Sequence, residues 1–162
     1  MEMLQKKDLQ IIAHLRQDAR MSLTNMSKKT NIPISTIFDR LKLHEGNVIK
    51  KHVSLLDFNK LGYMTRANIV LKVDRAKRDE LREHLLKNPQ INSVYKVNNN
   101  YDFMIEGIFK HLKEMEEFME KLEDRFKILD KKVYYLIDDI KKEEFMADPI
   151  LSQTFRIFHS YL

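Results

Sequence analysis

Four polar side chains in the first third of the chain are spaced so that they share one side of a short predicted helix. On a helical wheel that starts at Ile37, they spread from roughly 140° to 260°. Hydroxyl, carboxylate and ammonium groups in such a row can contact the base edges and phosphates of a nucleic acid, with Asp39 suited to cytosine N4 and Lys42 to guanine. An ordinary solvated helix face is the alternative interpretation. The four residues are Ser35, Thr36, Asp39 and Lys42.

Basic residues surround this row in the sequence. Residues 1–60 hold 11 Lys+Arg and 6 Asp+Glu, whereas residues 61–162 hold 18 of each kind, so the whole formal excess of +5 lies in the first part. Such an asymmetry favours a polyanion-binding module joined to a neutral one. We expect five side chains to neutralise phosphates, although solvated surface cations are the commoner occurrence. The five are Lys28, Lys29, Arg40, Lys50 and Lys51.

The elements that must position these side chains are three helices and a wing. Apolar spacing predicts a first helix that begins near Leu4, and Ser22 can cap a second helix that ends near Thr30, with Met26 buried. Asn31 suits the left-handed turn that follows. In the third helix an apolar side should pack inward, made by Ile34, Ile37, Leu41 and His44. Residues 48–56 are rich in β-forming residues and predict a strand, which together with the helices indicates a winged helix-turn-helix.

The pattern changes after this part of the chain. Alternating and helical spacings predict the order βαββαβ, which is the ferredoxin-like arrangement of two helices on one antiparallel sheet. The fold class is therefore α+β. The predicted strands cover 67–73, 91–97, 103–109 and 133–137, and the predicted helices cover 75–87 and 112–126. We divide the chain into a winged helix-turn-helix at 1–56, a hinge at 57–63, a βαββαβ domain at 64–140 and a C-terminal extension at 141–162.

Several classes of chemistry lack their usual signatures. The chain has no cysteine and only three isolated glycines, so it carries no thiolate site and no glycine-rich phosphate loop. Its six histidines show no metal-binding spacing, and neighbouring acids such as Glu116 and Glu117 point to different sides of their element. No apolar segment is long enough for a signal peptide or a membrane span. We therefore expect a cytoplasmic protein that is not an enzyme, uses no cofactor or metal and does not enter a membrane.

Three segments resemble the Lrp/AsnC family of bacterial and archaeal transcription regulators. DLQIIAHL, at residues 8–15, is similar to the opening helix of that family, and VIKKHVSLLDFNKLG, at 48–62, is similar to its wing and hinge. NNNYDF, at 98–103, resembles the loop between its second and third strands. The resemblance implies a sequence-specific regulator that binds double-stranded DNA, dimerises through its C-terminal sheets and assembles further into four dimers.

The resemblance also implies an amino-acid effector near that loop. The residues concerned are Asn99, Asn100, Tyr101 and Asp102, with Asp102 as partner of the ammonium group and loop amides as partners of the carboxylate. Asn99 stands where the family usually has glycine, and Asn is one of the few other residues that tolerates a positive φ. A polar hairpin turn with a packed tyrosine remains the alternative.

Two other functions remain open from the sequence alone. Phosphate-binding lysines would suffice for an architectural protein that coats DNA with little sequence preference. A metabolic enzyme subunit could use the βαββαβ part as a ligand-binding regulatory module.

Overall fold

The computed structural model describes residues 4–150 and divides them into two compact units. The helical unit comprises residues 4–55 and 140–150, and the sheet unit comprises Leu56–Asp139. The main chain therefore leaves the helical unit, forms the sheet unit and returns. The limits set above at 56, 63 and 140 stay predictions, and most of the predicted C-terminal extension, residues 151–162, lies outside the described part of the chain.

Three helices form the helical unit. They are α1 (Lys6–Gln17), α2 (Leu23–Thr30) and α3 (Ile34–His44). Their apolar core consists of four buried residues contributed by the three helices and the turn before α3, namely Ile11, Met26, Ile32 and Ile37. Met26 is fully buried as predicted, because it is the one side chain of α2 that faces both neighbouring helices.

The prediction that Ile34 packs inward is wrong. Its side chain is 45% exposed, whereas Ile37 is fully buried and Leu41 packs partly against the core. Ile34 is the first residue of α3, and the buried side chain at this end of the core is that of Ile32, which lies in the preceding turn. Ile34 lies on the side of the helical wheel that was predicted, but the core ends before this first turn of α3.

The predicted strand over residues 48–56 is also absent. A tight turn follows α3 instead, in which Gly46 has a φ of 74° and Glu45 forms an isolated bridge with Ile49. The Ile49 amide donates to the His44 carbonyl and the Gly46 amide donates to the Ile49 carbonyl, both at 2.9 Å. Within residues 4–150 no second strand lies beside 50–56, so the β-forming side chains have no ladder to join.

The sheet unit has the predicted order βαββαβ. Its elements are β1 (Thr65–Val73), α4 (Arg78–Lys87), β2 (Ile91–Lys96), β3 (Phe103–Phe109), α5 (Leu112–Arg125) and β4 (Ile128–Tyr135). The antiparallel strands lie in the order β2-β3-β1-β4, so the first and third strands are central. The α+β fold class is thus confirmed for this part. Only the edges differ: Arg75–Lys77 forms a separate 3-10 turn before α4, and β4 begins and ends earlier than expected.

The core of the sheet unit lies between the sheet and its two helices. Alternate residues of β1 and β3 face α4 and α5, and they include Ile69, Leu71, Ile105 and Phe109, all fully buried. Gly107 lies on the same face, and the Phe109 ring covers it so closely that an added Cβ would come within 2.5 Å of the ring. Both helices of the sheet unit, α4 and α5, pack on this face.

Candidate functional site

The turn between α2 and α3 is fixed by local hydrogen bonds. The Ser22 hydroxyl caps α2 by accepting from the Asn25 amide at 3.2 Å, as its position before the helix predicts. Asn31 ends α2 in the left-handed conformation with a φ of 56°. The Ser27 hydroxyl donates to the Ile32 carbonyl at 2.6 Å across the turn. These contacts set the direction in which α3 leaves the turn.

The outer side of α3 carries the predicted polar row. Ser35, Asp39 and Lys42 are exposed, and Thr36 is half-buried. The structure therefore brings these four side chains to the surface of one helix. Three large apolar side chains of α3, those of Ile34, Phe38 and Leu43, are also exposed, and none was among the predicted site residues.

The C-terminal end of α3 contacts α1 through the buried carboxylate of Asp8. His44 Nε2 lies 3.0 Å from Asp8 Oδ1, and the two side chains are 8% and 1% exposed. The ring nitrogen is not aligned for a directed hydrogen bond, so the two side chains form a close polar contact. The other Asp8 oxygen accepts from the Gln5 amide at 2.7 Å and holds the start of α1. Asp8 was not among the predicted site residues.

Arg40 joins the same cluster instead of pointing freely outward. Its guanidinium donates to the Gln5 side-chain oxygen at 2.8 Å and lies 3.5 Å from Asp8 Oδ1. Its side chain keeps 28% of its surface exposed. A phosphate contact by Arg40 stays a prediction, and in this structure the residue connects α3 to α1.

The four predicted phosphate-binding lysines are all exposed. Lys28 and Lys29 lie in the last turn of α2, and Lys50 and Lys51 follow the turn after α3. Their contact with phosphates stays a prediction.

The returning segment of the chain contacts α1 through Arg16, a contact that sequence analysis missed. The Arg16 guanidinium donates to the Glu143 carbonyl at 2.7 Å, to the Glu143 carboxylate at 3.0 Å and to the Phe145 carbonyl at 3.1 Å. A planar guanidinium with several donors is suited to holding a chain segment in one orientation. No local pattern signals the pairing, since the partners lie 127 and 129 residues apart.

The loop between β2 and β3 has the backbone that the sequence predicts. Asn99 and Asn100 have φ values of 60° and 71°. The Lys72 ammonium donates to the Asn100 side-chain oxygen at 2.7 Å, and the Tyr101 hydroxyl donates to Asp130 at 2.8 Å. The hydrogen bond to Asp130 raises the pKa of Tyr101 above its ordinary value. The structure thus ties this loop to the neighbouring strands.

Asp102 is held by protein partners on both oxygens. One oxygen accepts from the Val73 amide at 2.9 Å, and the other lies 2.5 Å from the Arg78 guanidinium. Beside it is an open pocket of about 290 Å³, whose lining includes Arg78, Arg82 and Lys96. An ammonium group at Asp102 would have to share the carboxylate with Arg78.

Two searches of the described residues concern metal ions and membranes. Residues 4–150 contain no group of three His, Asp or Glu side chains that could hold a metal ion. None of the helices described is both long and apolar enough to cross a bilayer.

Two family models match the chain. One, described as winged helix-turn-helix DNA-binding, covers residues 4–43, and the other, described as the Lrp/AsnC ligand binding domain, covers residues 66–144. The HTH-type transcriptional regulator FL11 of Pyrococcus horikoshii is 36% identical over 118 residues, which are 72% of this chain and 78% of FL11. FL11 of Pyrococcus furiosus is 35% identical over 70% of this chain and 76% of its own length.

Solved structures show the same fold. A transcriptional regulator of Neisseria meningitidis, crystallised with L-Met, aligns with a TM-score of 0.79 at 19% identity over 86% of this chain and 94% of its own. LrpC of B. subtilis aligns with a TM-score of 0.78 at 21% identity, covering 88% of this chain and 99% of its own.

Proposed function

The chain belongs to the Lrp/AsnC family of transcription regulators, and from this premise we propose that it acts as a symmetric dimer whose two α3 helices enter successive half-sites of an operator. The carrying observation is the exposed polar row on α3, held to α1 by the buried contact between Asp8 and His44. A symmetric dimer binds pseudo-palindromic DNA, and the distance between its two α3 helices sets the spacing of the half-sites.

We propose a division of labour among the side chains of this surface. The polar row of α3 contacts base edges, because a recognition helix turns its exposed side to the major groove. This row consists of Ser35, Thr36, Asp39 and Lys42. Lysines contact phosphates and supply affinity without sequence information. These lysines are Lys28, Lys29, Lys50 and Lys51. Arg40 adds a phosphate contact when the guanidinium nitrogen that donates to Gln5 is released from that hydrogen bond.

The test is a comparison of duplexes over a salt series. We expect tight binding to a duplex selected from a random pool, and weaker binding to its scrambled sequence at every salt concentration. Ser35→Ala combined with Lys42→Ala should reduce affinity for the selected duplex by about tenfold or more. Lys121→Ala, which removes an exposed lysine from α5, is the matched control and should change nothing. Equal affinity for both duplexes would instead favour an architectural protein.

The sheet face opposite α4 and α5 supports the proposed dimer. Register places one row across the four strands on this face, and it consists of Tyr95, Met104, Val70 and Lys132. Tyr95 is 52% exposed, and Tyr134, in the next row, is 54% exposed. An apolar centre with aromatic neighbours is typical of a homodimer interface. Analytical ultracentrifugation tests this: Val70→Asp should lower the mass to that of a monomer, while Lys121→Ala should not.

We further propose that an amino acid binds at the loop 98–102 and alters assembly or half-site spacing. The support is the family's ligand-binding domain, the positive φ values of Asn99 and Asn100 and the adjoining pocket. The L-Met complex of the Neisseria protein makes L-Met the first ligand to try. Calorimetry with each standard amino acid tests the proposal, and Asn99→Asp should weaken any binding found. Such an effector must bind two states of the protein with different affinity.

The proposed setting is the cytoplasm, where the protein acts without catalysing a reaction. The support is a chain without cysteine and relatives named as transcriptional regulators. Genome-wide mapping of bound DNA, with and without the amino acid found by calorimetry, tests this setting together with the operator.

A further inference from the structure

Two exposed apolar side chains interrupt the polar surface of α3. Phe38 is 55% exposed and Ile34 is 45% exposed, although both belong to residue types that normally seek the core. The core of the helical unit is already filled by Ile11, Met26 and Ile37, with Ile32 at its end. Neither Phe38 nor Ile34 is among the side chains that pack against it.

The two side chains are neighbours on the helix and border the predicted polar row on the side of Ser35 and Lys42. Positions 34 and 38 are four residues apart, so one side chain lies directly above the other. Phe38 has the same relation to Lys42 and is three residues from Ser35. Helix-turn-helix proteins contact base edges with the N-terminal part of the recognition helix, and Ile34 is the first residue of α3.

The chemistry of a phenyl ring at this place selects its partner. It carries no donor or acceptor for a phosphate or for a base edge. In the major groove, the one apolar group on a base edge is the C5 methyl of thymine, which phenylalanine and aliphatic side chains contact. A second protein would also cover an apolar pair, but the surrounding Ser35, Asp39 and Lys42 and the basic excess of this part of the chain favour DNA.

We propose that Phe38, supported by Ile34, determines specificity by contacting thymine methyl groups in the operator half-sites. This inference rests on the proposed entry of α3 into the major groove. It adds a preference for A·T pairs at defined positions that hydrogen bonds from the polar row do not supply. Burial of one methyl group contributes about 0.8 kcal/mol, which corresponds to about a fourfold change in affinity.

The experiment removes the methyl group from the DNA and the ring from the protein. The full chain is first used to select a tight-binding duplex, and each thymine in it is then replaced singly by deoxyuridine, which pairs identically but lacks the methyl group. We expect one or two positions in each half-site at which deoxyuridine weakens wild-type binding by about fourfold. In Phe38→Ala the same replacements should have no effect, while Phe38→Leu should retain part of the discrimination.

Leu86→Ala is the matched control. Leu86 is 55% exposed, as Phe38 is, but it lies on α4 in the sheet unit. Its removal should leave the deoxyuridine effect intact. Amide exchange of α1 and α2 checks that each variant keeps its fold, and Phe38→Leu serves if Phe38→Ala does not fold.

The outcomes separate this inference from the proposed function. If deoxyuridine weakens wild-type and Phe38→Ala equally, or weakens neither, the methyl contact is refuted, although loss of binding in the Ser35→Ala, Lys42→Ala variant would still support entry of α3 into DNA. If Phe38→Ala changes the sedimenting mass and leaves deoxyuridine discrimination intact, the ring contacts protein and the inference is wrong. If the intact chain binds no duplex at low salt, the proposed function itself fails.

Discussion

Each of the two units of this protein is stabilised by a different kind of interaction. The sheet unit buries a cluster of fourteen residues that are all apolar, whereas the cluster of the helical unit has four, and the buried polar side chains Asp8, His14 and His44 all lie in the helical unit. Apolar burial is non-directional and tolerates small shifts. A buried contact between polar side chains depends on partner and geometry. The unit proposed to touch DNA thus fixes α3 with few directed contacts, and the unit proposed to pair and bind ligand is the more robust.

The largest effect should come from opening the core of the sheet unit. Phe109→Ala removes a fully buried ring that contacts Phe118 and covers Gly107, and we expect a loss of about 4 kcal/mol in the free energy of unfolding. Hydrogen exchange should report the loss in β1 and β3, with α1 to α3 unchanged if the units are energetically independent. Equal loss in both units would show that they unfold as one.

Breaking the buried pair should have the next largest effect and should appear in the helical unit. Asp8→Ala leaves His44 without its partner and the Gln5 amide without its acceptor, which we expect to cost about 3 kcal/mol. Amide exchange in α1 and α3 measures it. Asp8→Ala combined with His44→Leu should recover part of the loss, because an apolar pair leaves no buried polar group without its partner. A double variant as unstable as the sum of its singles would argue that the two side chains do not interact.

A smaller effect is expected at the start of α2. Ser22→Ala removes the hydroxyl that caps the helix at the Asn25 amide and should lower the stability of the helical unit by about 1 kcal/mol. Thermal unfolding followed by circular dichroism measures the change, and Ser22→Asp should restore it. Because the contact is local, the sheet unit should show no change in exchange.

The smallest effect is a pH dependence of stability, which we expect one histidine in each unit to produce. Burial lowers the pKa of His14 in the helical unit and of His84 in the sheet unit below their ordinary value of 6.5. Below pH 6.5 the unfolded chain therefore binds more protons than the folded chain does. The contribution of each histidine to the free energy of unfolding is fully present above pH 6.5 and decreases as the pH falls below 6.5. His14→Gln should flatten this dependence for α1 and α2, and His84→Gln for α4. A slope that neither substitution changes would assign the effect to other groups.

Some of this architecture could be predicted because it is written in local patterns. In β1 burial alternates along the strand, and the buried positions are the apolar residues Ala67, Ile69, Leu71 and Val73. The cap at Ser22 and the left-handed turn at Asn31 also follow from residue type alone. Each depends on groups a few residues apart, which a single sequence displays.

Other features depend on partners that are distant in sequence. The strand expected at 48–56 needed a second strand, which β propensity cannot supply. Asp102 looked like a ligand for an ammonium group, but its oxygens contact Val73 and Arg78, which are 29 and 24 residues away. Phe38 was not recognised as a site residue, although its place between the apolar and polar sides of the wheel was a usable signal.

The path of the backbone has a consequence for handling this protein. The chain leaves the helical unit after Leu55 and returns at Ile140, and the returning segment is bound to α1 through three hydrogen bonds from Arg16. A protease that nicks the chain just after Leu55 would therefore leave two fragments that remain associated on a sizing column. Removal of the guanidinium in Arg16→Ala should let the nicked fragments separate more readily, so intact migration is poor evidence of an uncut polypeptide.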